Sequence, residues 1–71
     1  MNIKLGKYTH FKGKQYEAIA TATHSETLEE MVIYRALDGN DTLWVRPRMM
    51  WDEVVEYNGK HVKRFAYENE H

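Results

Sequence analysis

The sequence predicts an all-β domain, in its simplest form a small and strongly bent barrel of five to six short strands with one short helical turn. Four glycines, at positions 6, 13, 39 and 59, separate apolar stretches, as turns do in small β-proteins. Several of these stretches alternate between apolar and polar residues, which is the period of a strand. Asn58-Gly59 lies between two strand-like segments, and this residue pair is typical of a two-residue hairpin turn.

The first two strands form a predicted hairpin around Gly13. The second strand begins at Tyr16 and alternates, so Tyr16, Ala18, Ala20 and Ala22 are expected to share one face. Alanine is a poor strand former, and a row of small side chains is expected where a strand curls tightly.

The remaining elements are predicted from pattern and turn chemistry. Residues 25–29 read as a loop, in which Ser25 and Thr27 are expected to bond the local backbone. The strongest strand follows, from Glu30 to Leu37, with Val32, Tyr34 and Ala36 on one face. The later elements, in order, are a turn at 38–41, a strand at 43–46 ended by Pro47, one or two helical turns within 48–54, and a hairpin of strands 54–57 and 60–65.

Composition restricts both the architecture and the chemistry. Seventy-one residues make one domain, 1–71, with a core expected over about residues 8–65. The chain has no cysteine, which excludes disulfides, thiolate metal sites and thiol catalysis. Its net charge of −1 gives no strong overall attraction to nucleic acid or anionic membranes. No apolar run is long enough for a membrane helix, so a cytoplasmic protein without a cofactor is expected.

Four collinear motifs resemble the bacterial domain-of-unknown-function family 1653. They are Tyr8-x-His10-Phe11-Lys12-Gly13-x-x-Tyr16-Glu17, His24-Ser25-Glu26-Thr27, Tyr34-Arg35-Ala36-Leu37 and Leu43-Trp44-Val45-Arg46-Pro47. The resemblance covers about residues 8–65 and implies an SH3-like barrel, and it implies no activity. The sequence departs from the family pattern at Asp38, where an aromatic residue is common, and at Trp51, where phenylalanine is common.

The leading functional hypothesis is a binding module built on Trp44 and Arg46. These residues lie two apart on one strand and therefore project from the same face. If Leu43 and Val45 enter the core, the indole and the guanidinium form a surface platform that can stack on a planar group. The alternative is that Trp44 fills the core and Arg46 pairs with a glutamate.

The expected partner is an extended chain, either a peptide or a single-stranded nucleic acid. The candidate ligand-binding set is Trp44, Arg46, His10, Phe11, Tyr16, Tyr34 and His24. Four lysines without an acidic residue in the first fifteen positions could place a basic patch beside this set.

Two other functions are compatible with the sequence. One is a small hydrolase or ligand-modifying enzyme that uses His10 or His24 with Glu17 or Glu26, which requires a histidine and a carboxylate within hydrogen-bonding reach. The other is a structural accessory domain or weak homodimer with Trp44 and Trp51 in an interface. No metal site is expected, because no two histidines have the short spacing of ligands on one element.

Overall fold

The computed structural model describes residues 3–39 and 42–68. Seven strands and one short helix follow one another in the order β1 (Gly6–His10), β2 (Gln15–Thr23), β3 (Glu30–Ala36), β4 (Leu43–Pro47), α1 (Arg48–Trp51), β5 (Val54–Tyr57), β6 (Lys60–Lys63) and β7 (Phe65–Tyr67). Five strands form one antiparallel sheet in the order β4-β3-β2-β1-β7, and β5 and β6 form a separate hairpin. The prediction of an all-β fold with one short helix is confirmed.

The hydrogen-bonded ladder does not close on itself within residues 3–39 and 42–68. Strands β4 and β7 are the two edges of the large sheet, and β5–β6 is a second sheet. The structure therefore consists of two antiparallel sheets rather than a closed barrel. The additional strand arises because the predicted segment 60–65 is interrupted at Arg64, after which Phe65–Tyr67 pairs with β1.

Turn chemistry is the most accurately predicted part of the fold. Asn58 and Gly59 have φ angles of 52° and 77°, the left-handed conformation that a type I′ hairpin turn requires at both positions. The 24–29 segment is a loop closed by hydrogen bonds between His24 and Glu29 and between Leu28 and His24. Within it the Thr27 hydroxyl accepts the backbone N–H of Glu29, which is one of the local bonds expected there. Of the turn predicted at 38–41, Asn40 and Asp41 lie outside the described residues.

The core is a cluster of aromatic rings on one face of the large sheet. We call this the inner face, because it carries Val32, Tyr34 and Ala36, the buried residues of β3. Helix α1 covers part of this face and inserts Trp51, which is 1% exposed. The Trp51 ring stacks on Phe65 with a centroid separation of 3.9 Å and meets Tyr34 edge-on at 5.0 Å. Burial of such rings is the main stabilising contribution available to so small a chain.

One prediction about β2 is wrong. Ala18 is opposite Tyr34 on the inner face, but the register shifts between Ala18 and Ala20, so that Ala20 is opposite Ile33. A bulge of this kind adds one residue to one strand and bends it. Consequently Ala20 and Ala22 lie on the outer face, while Tyr16 and Ala18 remain on the inner face. The alternation breaks at Ile19.

No helix in the described ranges could cross a bilayer, since α1 is only four residues long.

Candidate functional site

Helix α1 covers only one end of the inner face and leaves the other end open. The open end is a cleft of about 290 Å³, which we call the ring cleft. Its lining residues are Lys14, Tyr16, Tyr34, Ala36, Asp38, Thr42, Trp44 and Arg46. Its volume is at the low end for small-molecule sites and suits one planar group rather than a large ligand.

Strand register brings the aromatic residues of the cleft together. Trp44 on β4 is directly opposite Tyr34 on β3, and Tyr16 on β2 is opposite Ala36 on β3. Residues paired in this way project from the same face of a sheet. Ala36 has only a methyl group, so the neighbouring rings border open space. Tyr16 and Tyr34 meet edge-on with centroids 5.6 Å apart.

The condition stated for the surface platform, that Leu43 and Val45 enter the core, is not met. Both side chains are 59% exposed and lie on the outer face, because Val45 is opposite the outward-facing Ile33. Trp44 and Arg46 share a face, as predicted, but this face is the inner one. Trp44 nevertheless stays 52% exposed, because it lies on an edge strand beyond the reach of α1. The alternative that Trp44 fills the core is therefore wrong.

Arg46 differs from the other three arginines of the chain. Arg35 pairs with Glu17, Arg48 with Glu30 and Asp52, and Arg64 with Glu53. Within the described residues no carboxylate pairs with Arg46. Its guanidinium lies instead over the rings of Phe65 and Tyr34, at 5.4 and 6.0 Å from their centroids, and its Nε–H donates to the Tyr34 hydroxyl at 3.3 Å. The remaining N–H donors can therefore bind an anion.

The rim of the cleft is formed by an ion pair that the sequence did not indicate. Lys14 Nζ lies 3.5 Å from Asp38 Oδ2 and 5.9 Å from the centroid of the Tyr16 ring. These residues come from two separate turns, and only the register of β1–β2 and β2–β3 brings them together. The pattern of apolar residues in the sequence does not indicate which residues of two separate turns become neighbours.

The seven candidate residues separate into three groups. Tyr16, Tyr34, Trp44 and Arg46 line the ring cleft. His10 is next to it, edge-on to Tyr16 at 6.2 Å and to Phe65 at 5.1 Å. The other two lie elsewhere: Phe11 packs on Tyr57 of the β5–β6 hairpin, and His24 borders a groove on the outer face of the sheet.

The histidine–carboxylate pair that a hydrolase needs is not formed within the described residues. His10 Nδ1 accepts the backbone N–H of Lys12, and His24 Nδ1 accepts those of Glu26 and Thr27. The Glu17 carboxylate accepts two hydrogen bonds from Arg35. Both histidines and the Glu17 carboxylate are thus bonded to other partners, and we do not propose hydrolysis. Nor do three or more potential metal-ligating side chains converge anywhere in the described ranges.

The environment of His10 predicts that stability depends on pH. Burial lowers the pKa of His10 below its ordinary value of 6.5, and the nearby cations Arg64, Arg46 and Lys12 lower it further. The folded state therefore binds fewer protons than the unfolded state between the lowered pKa and about 6.5. The stabilisation from neutral His10 is complete above about pH 6.5 and decreases as the pH falls through this window.

We expect the urea midpoint to fall when the pH is lowered from about 7.5 to about 5.5. His10→Gln should reduce this fall, because glutamine does not titrate. The exposed His61 provides a matched control, and His61→Gln should leave the fall unchanged. Equal falls for the wild type and His10→Gln would contradict the assignment.

Comparisons with known proteins agree with the fold. Residues 6–67 match the family model described as protein of unknown function (DUF1653). The crystal structure of a protein belonging to DUF1653 from Bordetella bronchiseptica is similar, with a TM-score of 0.85 and 32% sequence identity over 94% of this chain and 88% of that chain. A search of curated proteins finds no match.

Proposed function

The chain belongs to the DUF1653 family of proteins of unknown function, and we propose that it is a module that binds single-stranded nucleic acid through the ring cleft. In this proposal one base stacks on Trp44 and the adjacent phosphate binds Arg46. The fold that presents the cleft is, in the same proposal, an open form of the SH3-like barrel, bent by the bulge in β2.

The observation that carries the proposal is the guanidinium of Arg46. It lies at the cleft over Phe65 and Tyr34, and none of the described carboxylates pairs with it. Aromatic contacts and one hydrogen bond already hold the Arg46 side chain in one position. Binding an anion therefore costs little further conformational entropy of this side chain.

The exposed ring of Trp44 provides a surface on which a planar group can stack, beside the anion site at Arg46. It lies two residues from Arg46 on the same face, so a planar group and an anion are bound side by side. A nucleotide carries both groups in every repeat, whereas a peptide needs a particular pair of side chains. Base stacking on an aromatic residue also tolerates any base.

Charge near the cleft favours the same partner. The positive charges of Arg64, Arg46 and Lys12 contribute to the lowered pKa of His10, so these cations lie near this end of the sheet, with Arg64 also paired to Glu53. The overall charge is only −1, so the attraction is local and the expected affinity is modest.

The test uses the fluorescence of Trp44. Trp51 is 1% exposed, so acrylamide quenching reports chiefly on Trp44. The probes are a single-stranded oligothymidylate of about ten nucleotides, its duplex with oligoadenylate, and an acidic tyrosine-containing peptide of similar length. We expect the single strand to protect Trp44 more than the duplex does. Protection should weaken with added salt, with a slope of about −0.7 per phosphate bound.

The other outcomes are equally informative. Protection by the peptide, with little dependence on salt, would replace nucleic acid by peptide as the partner. A lack of protection by all three probes would contradict the proposed function of the cleft.

A further inference from the structure

We infer that the free edge of β4 is a dimerisation surface, on which β4 of a second copy pairs antiparallel about a twofold axis at Val45. The second copy thereby contributes its Arg46 to the open side of the ring cleft. This inference concerns association of the protein alone and does not depend on the proposed ligand.

The first argument is the composition of the edge. β4 ends the five-stranded sheet, so the outward backbone groups of this strand have no partner strand among the described residues. Three of its five residues, Leu43, Trp44 and Val45, are 59%, 52% and 59% exposed. Proteins usually protect an edge strand with charges, proline or a bulge. In β4 the charge and the proline come last, as Arg46 and Pro47, and the apolar stretch before them favours pairing with another chain. The bulge of this sheet is on β2, where it does not protect the edge.

The second argument is that the strand is complementary to itself in one register. A twofold axis perpendicular to the sheet must place inner residues opposite inner residues, so the axis can pass through Trp44, Val45 or Arg46. An axis at Arg46 places two guanidinium groups opposite each other, which is repulsive. With an axis at Trp44, Arg46 and Pro47 have no residue of the second β4 opposite them.

An axis at Val45 brings all five residues of β4 into register, although Pro47 has no N–H to donate to the new ladder. It sets Leu43 opposite Pro47 of the second copy, and Val45 opposite Val45, on the outer face. On the inner face it sets Trp44 opposite Arg46 twice, once on each side of the axis. Tryptophan is the aromatic residue that binds a guanidinium best, so this register adds two cation–π pairs to the backbone ladder.

The third argument is continuity on the outer face. Leu43 and Val45 border a groove with Met31 and Ile33, and this groove reaches Trp44 at the sheet edge. Pairing at Val45 joins the grooves of the two copies into one apolar surface. Two five-residue strands nevertheless form a small interface, below about 1,200 Å². We therefore expect a weak dimer, with a dissociation constant of about 10–100 µM.

Sedimentation equilibrium at concentrations on both sides of this range tests the inference. We expect a reversible monomer–dimer equilibrium that Val45→Lys weakens at least about tenfold, because two like charges then meet at the axis. Leu28 is 74% exposed in the 24–29 loop, and Leu28→Lys is the matched control with the same change of charge. It should leave the equilibrium unchanged.

Register is tested by cross-linking, for which the absence of cysteine is convenient. Val45→Cys should form a disulfide-linked dimer under mild oxidation, because the two Cβ atoms at position 45 then face each other about 4.5–5.5 Å apart, and a small shift of the strands reaches the about 3.5–4.5 Å that a disulfide spans. Leu43→Cys should not, since position 43 then faces position 47. A wild type that stays monomeric, a dimer insensitive to Val45→Lys, or cross-linking at position 43 rather than 45 would overturn the inference.

Discussion

Trp51→Ala is expected to remove a large fraction of the protein's stability and to lower its urea midpoint steeply. Truncation of a large buried aromatic ring costs about 3–5 kcal/mol, because it removes the transfer free energy of the ring and leaves a cavity. A domain of this length has a total stability of about 4–10 kcal/mol. Trp51 is 1% exposed and touches three other rings, so its truncation removes the centre of the core.

The measurement is a urea titration followed by circular dichroism, which does not depend on the removed fluorophore. Met49 in the same helix is 81% exposed, and Met49→Ala is the matched control. Alanine there keeps helix propensity and removes little buried surface, so the midpoint should barely change. Equal midpoints for Trp51→Ala and the wild type would show that α1 does not hold the core together.

The elements of the fold were predictable because their signals are local. Asn58-Gly59 fixes its hairpin through backbone conformation, and Pro47 ends β4 through its missing N–H. The bulge after Ala18 was not predictable, since it depends on how β2 fits against β3 rather than on residues within β2. The split at Arg64 has the same origin: Phe65 pairs with His10, which is distant in sequence.

The candidate site shows a different limit. The two-residue period of a strand indicates that Trp44 and Arg46 share a face, and this is what the structure has. The period does not indicate which face is inward, because Leu43 and Val45 are as apolar as a core strand requires. Tyr34 identifies the inward face, since Tyr34 is buried under α1 and Trp44 is opposite it. Helix α1, which follows β4 in sequence, thus determines which face of β4 is the inner one.

The same register makes Tyr34 a positioning residue for Arg46. Its hydroxyl accepts the Nε–H of Arg46, and its ring lies beneath the guanidinium. A cation fixed in this way contributes donors as well as charge. The identity of residue 46 should therefore matter more than its charge alone.

Arg46→Ala is accordingly expected to weaken binding of the single-stranded oligothymidylate about 10- to 150-fold, the effect of losing a charge-assisted hydrogen bond of about 1.5–3 kcal/mol. The salt slope should fall by about 0.7 in magnitude, the amount for one phosphate contact to a single strand. Arg46→Lys should keep the slope and recover only part of the affinity, because an ammonium lacks the planar fork that stacks on Phe65 and Tyr34.

Arg35→Ala is the matched control, since it removes the same side chain from the neighbouring strand. Arg35 pairs with Glu17 and is opposite Leu43, which places it on the outer face, away from the ring cleft. The pair is 39% exposed on each side, so its loss should affect stability little. If Arg35→Ala and Arg46→Ala weaken binding equally, the attraction is a general effect of charge. If only Arg46→Ala does so, the phosphate contact lies at the cation that the rings hold in place.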